Sequence, residues 1–416
     1  MTDSSPEDQS LRALFGRRDY VLFWLARVAA TLGVQIQSVA LGWQMYALAR
    51  ETMSVAQSAF YVGMIGLAAF IPVFLLALPA GETADRHDRR VVLLLCYLGE
   101  IATAVILACA VIFDFVSIPL LLALSAMFGA TRAYLGPAST ALGPMLVPKA
   151  LLPRAIAFNS LALTGGSIVG PAIGGLLVAV SASVPYLAAF GLYTLAASCV
   201  FLIKGNTQPV VNPGSRWELV KEGLVYFWQN KIVFGAISLD LFAVLLGGAT
   251  ALLPVFARDV LHVGPEGFGI LRAGPAMGAT LVAVALAGFP IRRHAGLIMF
   301  GGVALFGAAT IVFGLSTSLP LSVLALAVLG GADMLSVYVR QTLVQIVTPD
   351  QMRGRVAAVS SLFIGASNEL GEFESGVVAR FLGPVGAAIF GGVGALIVTG
   401  VWAKLFPDLR KADKLA

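Results

Sequence analysis

Twelve stretches of about twenty mostly apolar residues recur along the chain, and nothing else in the sequence constrains the fold as strongly. They fall roughly at 20–48, 57–80, 90–113, 118–146, 155–181, 184–203, 231–257, 268–289, 295–316, 319–347, 356–380 and 384–405, and are numbered spans 1 to 12 in that order. A run of this length crosses a bilayer as a helix, because a helix satisfies its own backbone polar groups where no water can. The composition agrees: of 416 residues, 58% are hydrophobic and 12% charged, about half the charge of a typical soluble protein. The expected fold is an all-α polytopic membrane protein. An ordinary soluble enzyme, a disordered chain and a disulfide-stapled secreted domain are excluded. Cys96, Cys109 and Cys199 all lie inside apolar runs. No CxxC or Cys/His cluster occurs, so neither a metal nor any other cofactor is expected.

Lysine and arginine then orient the chain. With the N-terminus in the cytoplasm, twenty of the 27 basic residues fall in cytoplasmic segments, and only Arg50, Arg258 and Arg380 fall in outer loops. That asymmetry is the positive-inside signature. It implies a multi-pass protein of the cytoplasmic (inner) membrane with both termini inside, and it accounts for the net charge of +5 without a nucleic-acid partner. The polar N-terminus lacks the apolar core of a cleavable signal peptide and reads as a cytoplasmic tail.

The longest inner connection divides the spans into six and six. Pro209, Asn212, Pro213 and Gly214 make its first part a linker. From Arg216 onward, Trp217, Val220, Leu224 and Phe227 recur at helical spacing, as in an interfacial amphipathic helix. The expected organisation is a tail (1–19), a six-helix half (20–203), the linker (204–230), a second six-helix half (231–405) and a tail (406–416). The halves repeat. At an offset of 201, Gly129, Pro148, Arg154 and Ser160 meet Gly330, Pro349, Arg355 and Ser361. At an offset of 207, Gly81, Arg86 and His87 meet Gly288, Arg293 and His294. Two like-oriented halves about a pseudo-two-fold along the membrane normal imply a central cleft, with a substrate site near mid-membrane.

These motifs carry a resemblance. The loop GETADRHDRR, with Gly81, Ala84, Asp85, Arg86, Arg89 and Arg90, resembles the signature loop between helices 2 and 3 of the major facilitator superfamily. In span 5, Gly166, Gly170, Pro171, Gly174 and Gly175 resemble the superfamily's antiporter-associated motif, and Arg132 stands where many members carry a helix-4 arginine. The loop, the run PAST…LVP…LPRAIAFNS and the linker resemble the enterobactin-exporter-like branch. The loop departs from the superfamily pattern at Asp88, where Gly is usual. The resemblance implies a monomeric transporter whose helices 1, 4, 7 and 10 line the cavity. It implies a siderophore-like or drug-like substrate and a gating loop in which Asp85 latches onto the start of span 11 near Arg353 and Arg355.

Physically, Gly81 is expected to let the chain leave span 2 tightly, while Arg89 and Arg90 read as topological charges. Gly166, Gly170 and Gly174 form a stripe that lets two helix backbones approach, whether as a static seam or a gate. Pro171 is expected to kink it. The repeat sets Ser367, Gly371 and Ser375 opposite on span 11.

Ionisable residues inside spans are costly and therefore candidates for function. There are ten: Arg27, Glu100, Arg132, Asp240, Arg272, Asp333, Arg340, Glu369, Glu372 and Glu374. Arg27, Arg132, Asp240 and Asp333 place one on each cavity helix, and the repeat sets Arg132 against Asp333. A carboxylate that gains or loses an arginine partner between two conformations couples a proton to the change. Asp333, seven residues from Arg340, suits this, and Glu369 and Glu372 at i, i+3 could share a proton. Arg27, Arg272 and Asp240, nearer span ends, read as static or gating charges. Glu100 reads as a structural acid with a helix-4 partner such as Arg132. Gln35, Gln37, Trp43, Tyr46, Tyr134, Phe242 and Tyr338 are expected to line the cavity and suit an amphipathic organic molecule.

The leading reading is a proton-coupled exporter of a small organic molecule working by alternating access. Its partners are the substrate, protons and the lipid bilayer. The rivals are a proton-coupled importer or uniporter on the same fold and a non-transporting membrane sensor. An embedded enzyme would need a nucleophile–base pair or a metal set, and none is found. No P-loop is present for direct use of ATP.

Overall fold

The computed structural model describes residues 11–205, 207, 208, 216–289, 291 and 293–413. Pro209, Asn212, Pro213 and Gly214 of the linker, Arg292 and Lys414 lie outside the described residues. So do the side chains of Arg216, Trp217, Val220 and Ser361. Eleven helices are long and apolar enough to cross a membrane. The last of them belongs to a helix, Asp350–Leu405, interrupted by Gly383 at φ +73°. That left-handed residue, followed by Pro384, separates spans 11 and 12. Twelve spanning helices result, and no strand occurs among the described residues.

The spans run Arg18–Ala49, Val55–Arg86, Arg89–Ile112, Ile118–Leu142, Leu152–Val180, Val184–Phe201, Lys231–Val260, Pro265–Gly288, Ala295–Leu315 and Leu319–Val347, followed by the two within Asp350–Leu405. Local chemistry sets their ends. Pro119, Pro185, Pro265 and Pro320 sit in first turns, where a missing N–H costs nothing. The Asn230 side chain accepts from the amides of Ile232 and Val233, both at 3.1 Å, and caps span 7. Large apolar side chains remain exposed along the spans, including Phe74, Leu75, Leu281 and Phe381, as a lipid-facing surface requires.

The chain divides into two compact units. One holds Met1–Leu41 and Ile71–Pro213; in it span 3 packs against spans 4 and 6. The other holds Gly42–Phe70 and Gly214–Ala416; in it span 10 packs against spans 8 and 9, and span 7 against the Asp350–Leu405 helix. The second unit thus includes the C-terminal end of span 1 and the first half of span 2. Span 7 is not one regular helix. It passes from α-helix (Lys231–Leu246) through a 3₁₀ turn (Gly248–Leu252) to a π turn (Phe256–Val260). The change falls where the backbone touches span 11: a Cβ on Gly248 would lie 2.1 Å from the Gly371 carbonyl oxygen.

Candidate functional site

In the second unit, Arg340 of span 10 forms a buried ion pair with Asp240 of span 7. Asp240 is 5% and Arg340 3% exposed. Asp333, two helical turns before Arg340, lies within electrostatic reach of both. Asp240 and Asp333 line one small void of about 10 Å³ with Ala243, Val244, Val303, Phe306 and Ser336. Asp333 makes no hydrogen bond or ion pair among the described residues. Arg340 thus pairs with Asp240 while Asp333 stays in electrostatic reach, which leaves an excess of one negative charge when both carboxylates are ionised. Asp240 is the tenth residue of its span, Lys231–Val260. Its partner is the same arginine expected for Asp333.

The C-terminal end of span 1 is clamped within the same unit. Tyr46, which is buried, donates its hydroxyl to Asp259 Oδ2, and Arg50 Nη2 reaches Asp259 Oδ1 at 3.3 Å. Arg50 Nη1 also donates to the Met53 carbonyl at 2.9 Å. The hydrogen bond that Arg50 donates to Asp259 favours the charged form of Arg50 and raises its pKa. Asp259 sits in the π turn of span 7, a feature frequent at functional sites. Nearby, Trp43 stacks on Phe268 with centroids 5.7 Å apart. Span 2 crosses span 11 where Gly63 and Gly376 touch: a Cβ on either would lie 2.7 Å from the other's Cα. One turn along, Gly66 lies against the Glu369 carbonyl and the Glu372 side chain. Glu369 and Glu372 are thus at a helix crossing, and Glu374 reaches Ser375 Oγ at 3.5 Å. Arg272 Nη1 donates to the Thr250 carbonyl at 3.4 Å.

The first unit treats its charges differently. Glu100, fully buried, accepts from the Thr131 hydroxyl, and Arg132 is within electrostatic reach. The Thr103 hydroxyl donates to the Glu100 carbonyl at 2.7 Å and receives Gln37 Nε2 at 3.3 Å. Arg27 donates to Ser139 Oγ. Arg132 lies over the Phe128 ring, 5.8 Å from its centroid.

Several residues expected to line the cavity make packing or hydrogen-bond contacts within their unit. Gln37 is 1% exposed and turned into the helix packing against span 3. Gln35 packs on Gly170 of span 5. Tyr134 and Tyr338 pack on the apolar cores of the first and second units. Trp43 and Tyr46 belong to the clamp, and Phe242 is exposed beside Trp402, with centroids 5.2 Å apart. Residue type at a helical position does not say which face is presented, and packing claims most of these side chains.

The signature loop is shorter than its motif. Gly81, Asp85 and Arg86 lie on the last turns of span 2, Arg89 and Arg90 open span 3, and only His87 and Asp88 lie between. Gly81 is therefore not where the chain leaves the helix. Asp88 is the N-cap, accepting from the Arg90 amide at 2.9 Å and from the Thr207 hydroxyl. Its departure from Gly thus has a local use. Arg89 donates to the carbonyls of Ala84 (3.1 Å) and Ala141 (3.3 Å). Arg90 donates to the Phe201 carbonyl and lies 5.5 Å from its ring centroid. Both tie elements of the first unit together and are more than topological charges. Asp85 is exposed, and Arg86 pairs with Glu82 at 2.9 Å on the helix surface.

The span-5 stripe is a close seam with span 1. A Cβ on Gly166 or Gly170 would lie 2.6 Å from Thr31 Cγ2 or Gln35 Cβ, and one on Gly174 3.1 Å from Val39 Cβ. Pro171 and Gly175 are buried in the same helix, which runs unbroken through the proline. In the second unit Ser367, Gly371 and Ser375 are buried, and Gly371 and Ser375 meet span 7 in the same way. Four contributors were not singled out by sequence: Thr131, Ser139, Asp259 and Glu222, the last an ion-pair partner of Arg355. Tyr46 and Arg50 stand at i, i+4 on one face and were the one available signal for Asp259.

Comparison with known proteins places this arrangement. The enterobactin exporter EntS of Citrobacter koseri is 27% identical over 378 residues, covering 88% of this chain and 84% of its own. The multidrug efflux pump Tap of Mycobacterium tuberculosis is 27% identical over 367 residues, covering 84% of each chain. Among solved structures, the nucleoside transporter NupG matches with a TM-score of 0.74 at 14% identity, covering 93% of this chain and 100% of that one. A family model described as transmembrane secretion effector matches residues 11–416. The chain belongs to that family and, with it, to the transporters of the major facilitator superfamily.

Proposed function

We propose that the protein is a secondary active exporter that exchanges protons for a small organic molecule, siderophore-like or drug-like, by alternating access. The observation that carries the coupling is the Asp240–Arg340–Asp333 cluster. Arg340 neutralises one carboxylate, and the second is left to a proton. The void of about 10 Å³ between them has room for a water-sized particle and not for a cargo molecule. A conformational change that moves span 10 against span 7 changes which carboxylate holds the guanidinium, and so loads or releases the proton. Glu369 and Glu372, at the crossing of spans 2 and 11, are a second candidate pair.

The direction of transport is supported by similarity to an enterobactin exporter and a multidrug efflux pump. The lysine and arginine distribution supports a multi-pass protein of the cytoplasmic membrane with both termini inside. In this reading a monomer has two six-helix halves, 20–203 and 231–405, joined by the linker. Asp85 latches the inner ends, while Tyr46, Arg50 and Asp259 close the outer ends.

The test uses inside-out vesicles energised to an acidic interior, with a quenched dye reporting interior pH. Catecholate and hydroxamate siderophores and lipophilic cations are added in turn. Proton release on adding one compound, lost in Asp333→Asn, is the expected result. Release that survives Asp333→Asn moves the coupling to Glu369 or Glu372. Binding with no release by any compound overturns antiport and leaves an uncoupled carrier or a sensor.

A further inference from the structure

The linker helix Arg216–Gln229 has one face committed to the second unit. Phe227 is buried and stacks on Phe363 at 5.2 Å. The Tyr226 hydroxyl donates to the Val347 carbonyl at 3.1 Å, and Glu222 pairs with Arg355. Gly223 sits against the Arg355 carbonyl, from which a Cβ would lie 2.8 Å away. The described residues of the other face are exposed. Lys221, Val225 and Trp228 recur at i, i+4 and i+7, with Val225 47% and Trp228 69% exposed. A groove of about 480 Å³ runs between this helix and Met352, lined by Lys221, Glu222, Val225, Tyr226, Gln229 and Met352.

Position and charge say what fits it. Only Asn230 separates this helix from span 7, so its exposed face lies at the edge of the bilayer. The Trp228 ring stacks on Phe234, in the first turn of that span, with centroids 4.9 Å apart. Tryptophan prefers this depth, where its amphipathic ring meets the headgroups. Arg355 closes the Glu222 charge, whereas Lys221 and Lys231 are exposed and make no ion pair among the described residues. Among the described residues the open charge is therefore positive, beside an apolar stripe. We infer that this groove binds an anionic phospholipid, its phosphate at Lys221 and Lys231 and its acyl chain along Val225, Trp228 and Met352. The bound lipid would fasten the linker helix to the membrane while the opposite face holds the start of span 11. The choice of the cytoplasmic leaflet rests on the orientation proposed above; the lipid contact does not.

The purified full chain is placed in phosphatidylcholine vesicles. These contain either phosphatidylglycerol or phosphatidylcholine brominated on the acyl chain, and tryptophan fluorescence is read. Trp228→Phe identifies that residue's share of the quenching. Labelling of Lys221→Cys from each side of the membrane checks the orientation separately, so failure of either reading is recognisable. Brominated phosphatidylglycerol is expected to quench Trp228 at a lower mole fraction than brominated phosphatidylcholine. Lys221→Arg should keep the preference and Lys221→Glu remove it, with about a fivefold shift for each lysine charge lost. Equal quenching by the two lipids in the unsubstituted protein, or no share from Trp228, would overturn the inference.

Discussion

The two units bury charge in opposite ways. In the first, Glu100 and Arg27 find uncharged hydroxyl partners, Thr131 and Ser139. In the second, Asp240 and Arg340 neutralise each other, Asp333 stands beside them, and Asp259 draws in both Tyr46 and Arg50. The Thr131 hydroxyl satisfies Glu100 locally, with Arg132 in electrostatic reach. An arginine paired with one buried acid and in electrostatic reach of a second has an alternative partner, which a switch requires. A repeated sequence thus yields one unit with a direct buried ion pair and one whose buried acid is met by a hydroxyl, and the proposed proton coupling rests on the former.

The largest effect should follow from removing the Arg340 guanidinium. Arg340→Gln leaves Asp240 and Asp333 buried without a cation. Losing one partner of a buried ion pair costs about 3–5 kcal/mol. Thermal unfolding in detergent should drop accordingly, and substrate-linked proton release should vanish. Adding Asp240→Asn should restore part of the stability, because the stranded charge is gone, and a double-mutant cycle measures the coupling. If Arg340→Gln unfolds like the unsubstituted protein, the cluster is not what distinguishes the second unit.

A smaller effect is expected in the first unit. Thr131→Val removes the hydroxyl that Glu100 accepts from, and a buried acceptor without its donor costs about 1–3 kcal/mol. Glu100→Gln keeps an acceptor for Thr131 and should cost less. Both variants should retain proton-coupled transport once folded. Loss of coupling in Glu100→Gln at unchanged stability would erase the contrast between the units.

The spans were legible because hydropathy and basic loops report directly on the bilayer. The prolines that start helices and the break near Gly383 follow from backbone chemistry. Pairing was less legible. Asp240 and Arg340 are a hundred residues apart, and their contact depends on which faces spans 7 and 10 present to each other. Asp259 fell outside the apolar run, and only the π turn Phe256–Val260 carries the helix that far. Aromatic type alone did not show the contacts of Trp43, Tyr46 and Phe242, since a ring serves packing, a clamp, lipid or a cavity equally well. Asp88 replaced an expected glycine, yet its role as N-cap, two residues before the amide it binds, agrees with ordinary capping chemistry.

The smallest expected effect tests whether the clamp on span 1 belongs to the moving parts. Tyr46→Phe removes one hydrogen bond to Asp259 and leaves the Arg50 contact at 3.3 Å. Side-chain hydrogen bonds within membrane proteins average about 0.6 kcal/mol, so overall stability should barely move. If, as proposed, span 1 moves with one six-helix half and span 7 with the other, an outward-open state breaks this contact. The same 0.6 kcal/mol should then appear as about a threefold rise in the outward-open population. A cysteine introduced at Trp43, beside the clamp, reports it through its rate of labelling from outside. Asp259→Asn, which weakens both contacts, should raise that rate further. Equal labelling in all three proteins would mean the clamp only staples two helix ends, and the switch would then reside in the Arg340 cluster alone.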